Sequence, residues 1–237
     1  MIIGKDIDEV LYKVCKKLKK AKEYSPRGQK TKELIQEQII IKNPNKCFVK
    51  NKARKLSKEY IKKEMEWYLS GNKNIEEISK YAKMWKIIAD ENNEANSNYG
   101  EIIFFQKLEN YNGNQWDWIK ESLIKDNDSR QAIINFNQPK HKKEGVKDFV
   151  CTETIQYLIR NNKLISICNM RSCDLIYGFC NDIPFFSYLQ IRLLKELNNK
   201  GLKIKLGKMY HTSGSLHVYE KHYSMLENII NEYEKIN

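Results

Sequence analysis

The sequence has no apolar run approaching the roughly 18 residues of a membrane span, and its first nine residues already carry acids and a lysine. That excludes a span and disfavours export, so the expectation is a soluble, cytoplasmic chain. It has no Cys-x-x-Cys pair and no His-rich segment. Its six cysteines, at 15, 47, 151, 168, 173 and 180, therefore suggest free thiols in a reducing compartment and no metal site. Nor is there a Gly/Ser-rich linker, an internal repeat or a low-complexity tract. At 237 residues and 41% hydrophobic content, one domain over 1–237 is expected.

What is there begins with charge. The net value of +12 suits nucleotides, nucleic acid or an anionic co-substrate, but the excess is spread along the chain and reads in large part as a Lys-rich solvated surface. Apolar spacing of three and four predicts amphipathic helices over 7–18 and 57–70, the second closed by Gly71. A further helix is expected from Asn74 to Trp85, and a shorter one over 117–124. Segments 132–136, 154–159 and 164–170 are rich in β-branched or aromatic residues and read as strands. A long apolar helix from Pro184 to Asn198 and a last helix over 225–236 complete a mixed α and β pattern.

Cys151 taken alone would be an ordinary buried thiol. Its surroundings say otherwise. Arg171-Ser172-Cys173-Asp174 follows twenty residues later, then Gly178, Asp182-Ile183 and a terminal His217-Val218-Tyr219. Upstream lie Arg27-Gly28, Glu64-Met65-Glu66-Trp67-Tyr68-Leu69 with Gly71 and Asn74-Ile75, Trp85, Ala89-Asp90-Glu91, Tyr99-Gly100 and Asp128-Ser129-Arg130. In this order and spacing, over about 27 to 222, the motifs resemble the thymidylate synthase family.

The resemblance implies an α+β, thymidylate synthase-like single domain, with a mixed β-sheet flanked by helices and one long buried helix. It also implies a homodimer. It makes Cys151 the nucleophile that adds to C6 of a pyrimidine nucleotide, since C5 reacts poorly until something adds across the 5,6 bond. Arg171, Ser172 and the mobile Arg27 are expected to bind the phosphate, and Arg171 to help keep the thiol ionised. Arg130 would reach the partner subunit's phosphate site. The family's second arginine there is Gln131, which keeps a hydrogen-bond donor and loses a charge. His217 and Tyr219 resemble the pair that binds the sugar 3′-hydroxyl. Glu64 resembles the carboxylate that organises water and proton transfers, and Tyr99 the group that helps remove the C5 proton. Trp85, Asp174 and Gly178 match positions lining the co-substrate 5,10-methylenetetrahydrofolate.

One departure bears on the base. Where the family carries Asn before Ile, this chain has Asp182. An amide matches uracil O4 and N3-H, whereas a carboxylate accepts from the cytosine amino group and stabilises a proton on N3. Within the family, this change resembles the deoxycytidylate hydroxymethylases of large phages, which implies dCMP as substrate and the phage's host cytoplasm as location. Asp182 could instead cap a helix beginning near Pro184. Thr152 replaces the family's His, Met170 a Gln and Ile88 a second Trp, and the chain stops at Ile236-Asn237 without the apolar tail that closes over folate. A wetter site favours hydroxide over hydride, so the expected reaction is hydroxymethylation of dCMP through a covalent Cys151–C6 adduct, with no nucleic acid required. A methylase of dUMP or dCMP releasing dihydrofolate is the alternative, and a non-enzymatic nucleotide- or RNA-binding homologue a third.

Overall fold

The computed structural model describes residues 1–236. Its first strand, β1 (Ile2–Gly4), leads into α1 (Ile7–Lys19), which starts where Asp6 accepts from the Glu9 amide and ends on three lysines, matching side-chain charge to the helix dipole. After β2 (Glu23–Tyr24) and β3 (Thr31–Ile41) comes α2 (Lys58–Ser70), capped by Ser57 and closed by Gly71 at φ +68°, a left-handed geometry natural to glycine. The expected helix from Asn74 to Trp85 is instead two short ones, α3 (Glu76–Ser79) and α4 (Met84–Ile88). Each buries one side of a single turn, Ile78 and Trp85, so the apolar spacing was right and its continuity was not.

The chain continues through α5 (Gln115–Lys125), opened by a capping box between Asn114 and Asp117, and β4 (Ile133–Asn135). It then forms β5 (Thr152–Arg160), β6 (Lys163–Asp174), α6 (Cys180–Asn199), β7 (Lys205–Tyr219) and α7 (Tyr223–Ile236). The seven strands make one sheet in the order β1-β3-β7-β6-β5-β4, with β2 on β3. Pairs β1/β3 and β6/β7 are parallel and the rest antiparallel, so the sheet is mixed. The β6–α6–β7 passage is the helical crossover a parallel pair requires.

One face of the sheet is sealed. Leu164, Ser166, Cys168 and Met170 of β6 are buried beside Met209 and His211 of β7, and Gln190 of α6 bonds down to Ser166 and the Leu164 carbonyl. The α6 side chains Ile183, Phe185, Phe186, Leu189, Leu193 and Leu197 complete this core. Alternate residues on the other face, Leu158, Ile165, Ile167 and Tyr210, stay half-exposed. No helix of the described residues is long and apolar enough to cross a membrane.

Helix α6 begins four residues before the expected start. Pro184 sits inside its second turn, where the missing N–H forgoes only a bond near the helix start. Asp182 therefore lies within the first turn; the N-cap position belongs to Phe179, with no side-chain cap. The capping role for Asp182 is corrected accordingly.

Candidate functional site

Cys151 precedes β5, half-buried, and its carbonyl accepts from the Arg171 amide at 2.9 Å, so the nucleophile is fixed to β6 through the backbone. The Arg171 side chain wraps the same segment. Its Nε donates to the Val150 carbonyl at 3.1 Å, its Nη2 to the Phe149 carbonyl, and Nη2 lies 3.4 Å from Cys151 Sγ, with the guanidinium 4.6 Å from the Phe149 ring. Burial pushes the thiol up from its ordinary value, the Arg171 and Arg27 charges pull it down, and the Asp182 and Asp148 charges push it up. Arg171 thus acts on the thiol in the direction expected from the sequence, but burial outweighs it.

The opposite wall is α2. Glu64 is 5% exposed, and burial raises its carboxyl from 4.5 to about 7, opposed by a hydrogen bond from the Tyr60 hydroxyl to Oε1. Tyr60 in turn accepts from Trp85 Nε1 at 3.2 Å. Asp182 stands nearby on α6, and burial, then the Glu64 and Asp174 charges, push its carboxyl well above the usual range. Neither of its oxygens takes a hydrogen bond from the described residues, and neither is sealed from solvent. The acceptor-only picture of Asp182 therefore changes: a carboxyl held toward its protonated form accepts on one oxygen and donates from the other. Tyr99 feels both Asp182 and Cys151, and its hydroxyl accepts from Thr152 Oγ at 2.9 Å while its ring stacks on Tyr68 at 5.2 Å.

The third side is the end of β6 and β7. Asp174 accepts from the amides of Ile176 and Tyr177, shaping the turn that carries Gly178. A side chain at Gly178 would start 3.6 Å from both Asp182 Oδ2 and Cys173 Sγ. Ser172 pairs with Ser215, and Asp174 with His217, across the parallel strands. His217 Nδ1 lies 3.4 Å from Ser215 Oγ, and its ring meets Tyr219 edge-on at 5.2 Å. Tyr219 feels Asp174, Arg27 and Cys151, which places it at the same cluster. Arg27 is exposed, in a left-handed backbone conformation at φ 53° that is uncommon for a residue other than glycine. Arg130 stands apart: it is exposed, its carbonyl accepts from Gln156, and no contact joins its side chain to this cluster among the described residues.

Several contributors escaped the sequence reading. Asp148, 8% exposed, accepts from the Ser97 amide at 2.7 Å and hydroxyl at 2.6 Å, while its carbonyl accepts from Asn96 Nδ2. This clasp joins the segment bearing Tyr99 to the one bearing Cys151, and a largely charged cavity of about 280 Å³ beside it has Asp90, Glu91, Glu94, Lys143 and Lys147 in its lining along with Asp148. Glu33 of β3 accepts from Ser215 beside His217. Only Tyr60 had a visible signal, its four-residue spacing from Glu64 on one helix. No group of three or more His, Cys, Asp or Glu among the described residues could hold a metal ion.

The thymidylate synthase family model matches residues 7–236. The deoxycytidylate 5-hydroxymethyltransferase of Enterobacteria phage T4 is 35% identical, covering 84% of this chain and 80% of its own length. The deoxyuridylate hydroxymethyltransferase of Bacillus phage SP01 is 29% identical over 82% of this chain and 52% of its own length. A putative thymidylate synthase of Methanocaldococcus jannaschii is 26% identical over 72% and 74%.

Proposed function

Because the chain belongs to the thymidylate synthase family, we propose that it is a deoxycytidylate 5-hydroxymethyltransferase. It converts dCMP, 5,10-methylenetetrahydrofolate and water to 5-hydroxymethyl-dCMP and tetrahydrofolate. The observation that carries the choice of base is Asp182, whose carboxyl takes no hydrogen bond from the described residues and stands by Cys151 and Glu64. Likeness to the phage T4 enzyme, greater than to the phage SP01 enzyme named for deoxyuridylate, supports the same choice.

In this reading Asp182 accepts from the cytosine amino group and shares its proton with N3, which draws electrons from the ring and opens C6 to the Cys151 thiolate. Arg171 offers Nη1, left over from its grip on residues 149–151, to the phosphate, with Ser172 and Arg27 beside it. His217 and Tyr219 hold the sugar hydroxyl. Trp85, Asp174 and Gly178 border the folate, which supplies the one-carbon unit captured at C5. Tyr99 assists removal of the C5 proton as tetrahydrofolate leaves, and Glu64 directs water to the exocyclic carbon. The half-exposed apolar residues on the outer sheet face, together with Arg130's distance from its own cluster, support a homodimer in which Arg130 serves the partner. The host cytoplasm suits a phage-encoded enzyme of this kind.

Incubation with C5-tritiated dCMP and methylenetetrahydrofolate should release tritium and yield a product heavier than dCMP by CH2O, with no rise in dihydrofolate absorbance. Dihydrofolate would identify a methylase instead, and no release from either dCMP or dUMP would leave a binding protein.

A further inference from the structure

Tyr60 has no place in the roles assigned so far, yet it is the group in contact with Glu64. The two are four residues apart on α2 and share a face. The Tyr60 hydroxyl donates to Glu64 Oε1 and accepts from Trp85 Nε1 at 3.2 Å, so its rotation is set from both ends. Glu64 Oε2 takes no hydrogen bond from any described residue and yet is not sealed from solvent. The carboxyl is thus divided into one occupied oxygen and one available one. We propose that Tyr60 is a positioning residue: oriented by the Trp85 indole, it occupies Oε1 and reserves Oε2 for the water that attacks the exocyclic carbon.

The inference rests on the hydroxymethylation reading for the identity of that water, but its local part does not. Glu64 faces Tyr60 and Tyr68 on its own helix and Asp182 on α6, with no cation among the described residues counteracting its burial. The Tyr60 hydroxyl alone favours its ionised form. Without that hydroxyl, the carboxyl would hold its proton to higher pH and both its oxygens would compete for water.

Tyr60→Phe keeps the ring and removes the one oxygen. Titration of Glu64 by 13C NMR in the free protein, with Glu64→Gln identifying the resonance, should show its midpoint moved upward by about one unit in Tyr60→Phe. In steady state, kcat for 5-hydroxymethyl-dCMP should fall at least about tenfold at pH 7, with KM for dCMP within about twofold and partial recovery toward pH 9. Trp85→Phe removes the N–H that polarises the Tyr60 hydroxyl and should shift the Glu64 titration the same way by less, which keeps the test open if Tyr60→Phe does not fold. An unmoved Glu64 titration in whichever variant folds would overturn the proposal, as would loss of kcat in Tyr60→Phe with an unchanged pH profile. If the native protein makes no 5-hydroxymethyl-dCMP, the reaction assignment fails, and the titration still decides whether Tyr60 governs Glu64.

Discussion

Asp182 and Glu64 are two carboxyls held above their ordinary range, Glu64 by burial and Asp182 by burial and then by the Glu64 charge. For Asp182 the consequence is chemical. Asn in its place can still bond to the cytosine amino group and N3 but has no proton to transfer, so Asp182→Asn should lose more in kcat than in dCMP binding. The ratio of kcat/KM for dCMP over dUMP should fall by roughly 10- to 100-fold, the equivalent of about 1–3 kcal/mol; an unchanged ratio would mean that Asp182 does not read the base. For Glu64 the consequence reaches stability. The unfolded chain releases this proton near 4.5, whereas the folded one keeps it to about 7. The folded state therefore loses stability as pH rises through that window, by up to about 3 kcal/mol at about 1.4 kcal/mol per unit. Glu64→Gln lacks this penalty. In urea titrations the variant should gain on the native protein between pH 4 and pH 8, while turnover collapses; a difference independent of pH would contradict the raised carboxyl. The identities of Cys151, Glu64, Asp182 and Arg171 were legible because motif spacing carries them. Asp148 and Ser97 were not, because their meaning arises only when distant segments meet, and Tyr60 showed no more than its four-residue spacing from Glu64.

At the level of elements, α1 and α2 were readable because the apolar spacing runs unbroken between a capping residue, Asp6 or Ser57, and the helix end, which in α2 is marked by Gly71. Strand β3 was not, for two physical reasons. Its buried Glu37, bonded to Lys17 and 3.2 Å from the N-terminal ammonium, breaks the alternation of apolar and polar positions, and Gln36 at φ 52° interrupts it again. The start of α6 was placed late because proline ordinarily marks a helix start, whereas here it follows a wide-turned segment, Leu175–Phe179, that already runs into the helix. The clearest element-level demand is at Gly100. A Cβ there would lie 1.7 Å from the Tyr68 carbonyl oxygen, so the chain carrying Tyr99 is pressed directly on the end of α2. Backbone cannot yield as a side-chain tip can. Gly100→Ala should destabilise the protein by about 3 kcal/mol in urea denaturation, with disproportionate loss of kcat because Tyr99 moves with it. A loss below about 0.5 kcal/mol would show that the two segments are free to part.

For the whole molecule, the position of Arg130 bears on assembly. Arg27 and Arg171 act on Cys151 within the same chain, whereas Arg130 is exposed ahead of β4, its carbonyl bonded by Gln156 of β5. If two chains pair through the half-exposed sheet face, each receives the other's Arg130, and a defect in one chain is repaired by its partner. Cys151→Ala should be inactive while still binding dCMP, and Arg130→Glu should be nearly inactive through weakened phosphate binding. Mixed at equal amounts after denaturation and refolding, half the dimers would pair one variant with the other. In those dimers, one site combines an intact Cys151 with an intact Arg130 from across the interface, so activity should return to about a quarter of the native value. The other site carries both defects and contributes nothing. A mixture no more active than its components would place Arg130 outside any shared site, and activity retained by Arg130→Glu alone would remove it from phosphate binding altogether. The net charge of +12 offers no substitute explanation, since charge spread over the surface speeds the encounter with an anion but cannot make one variant restore another.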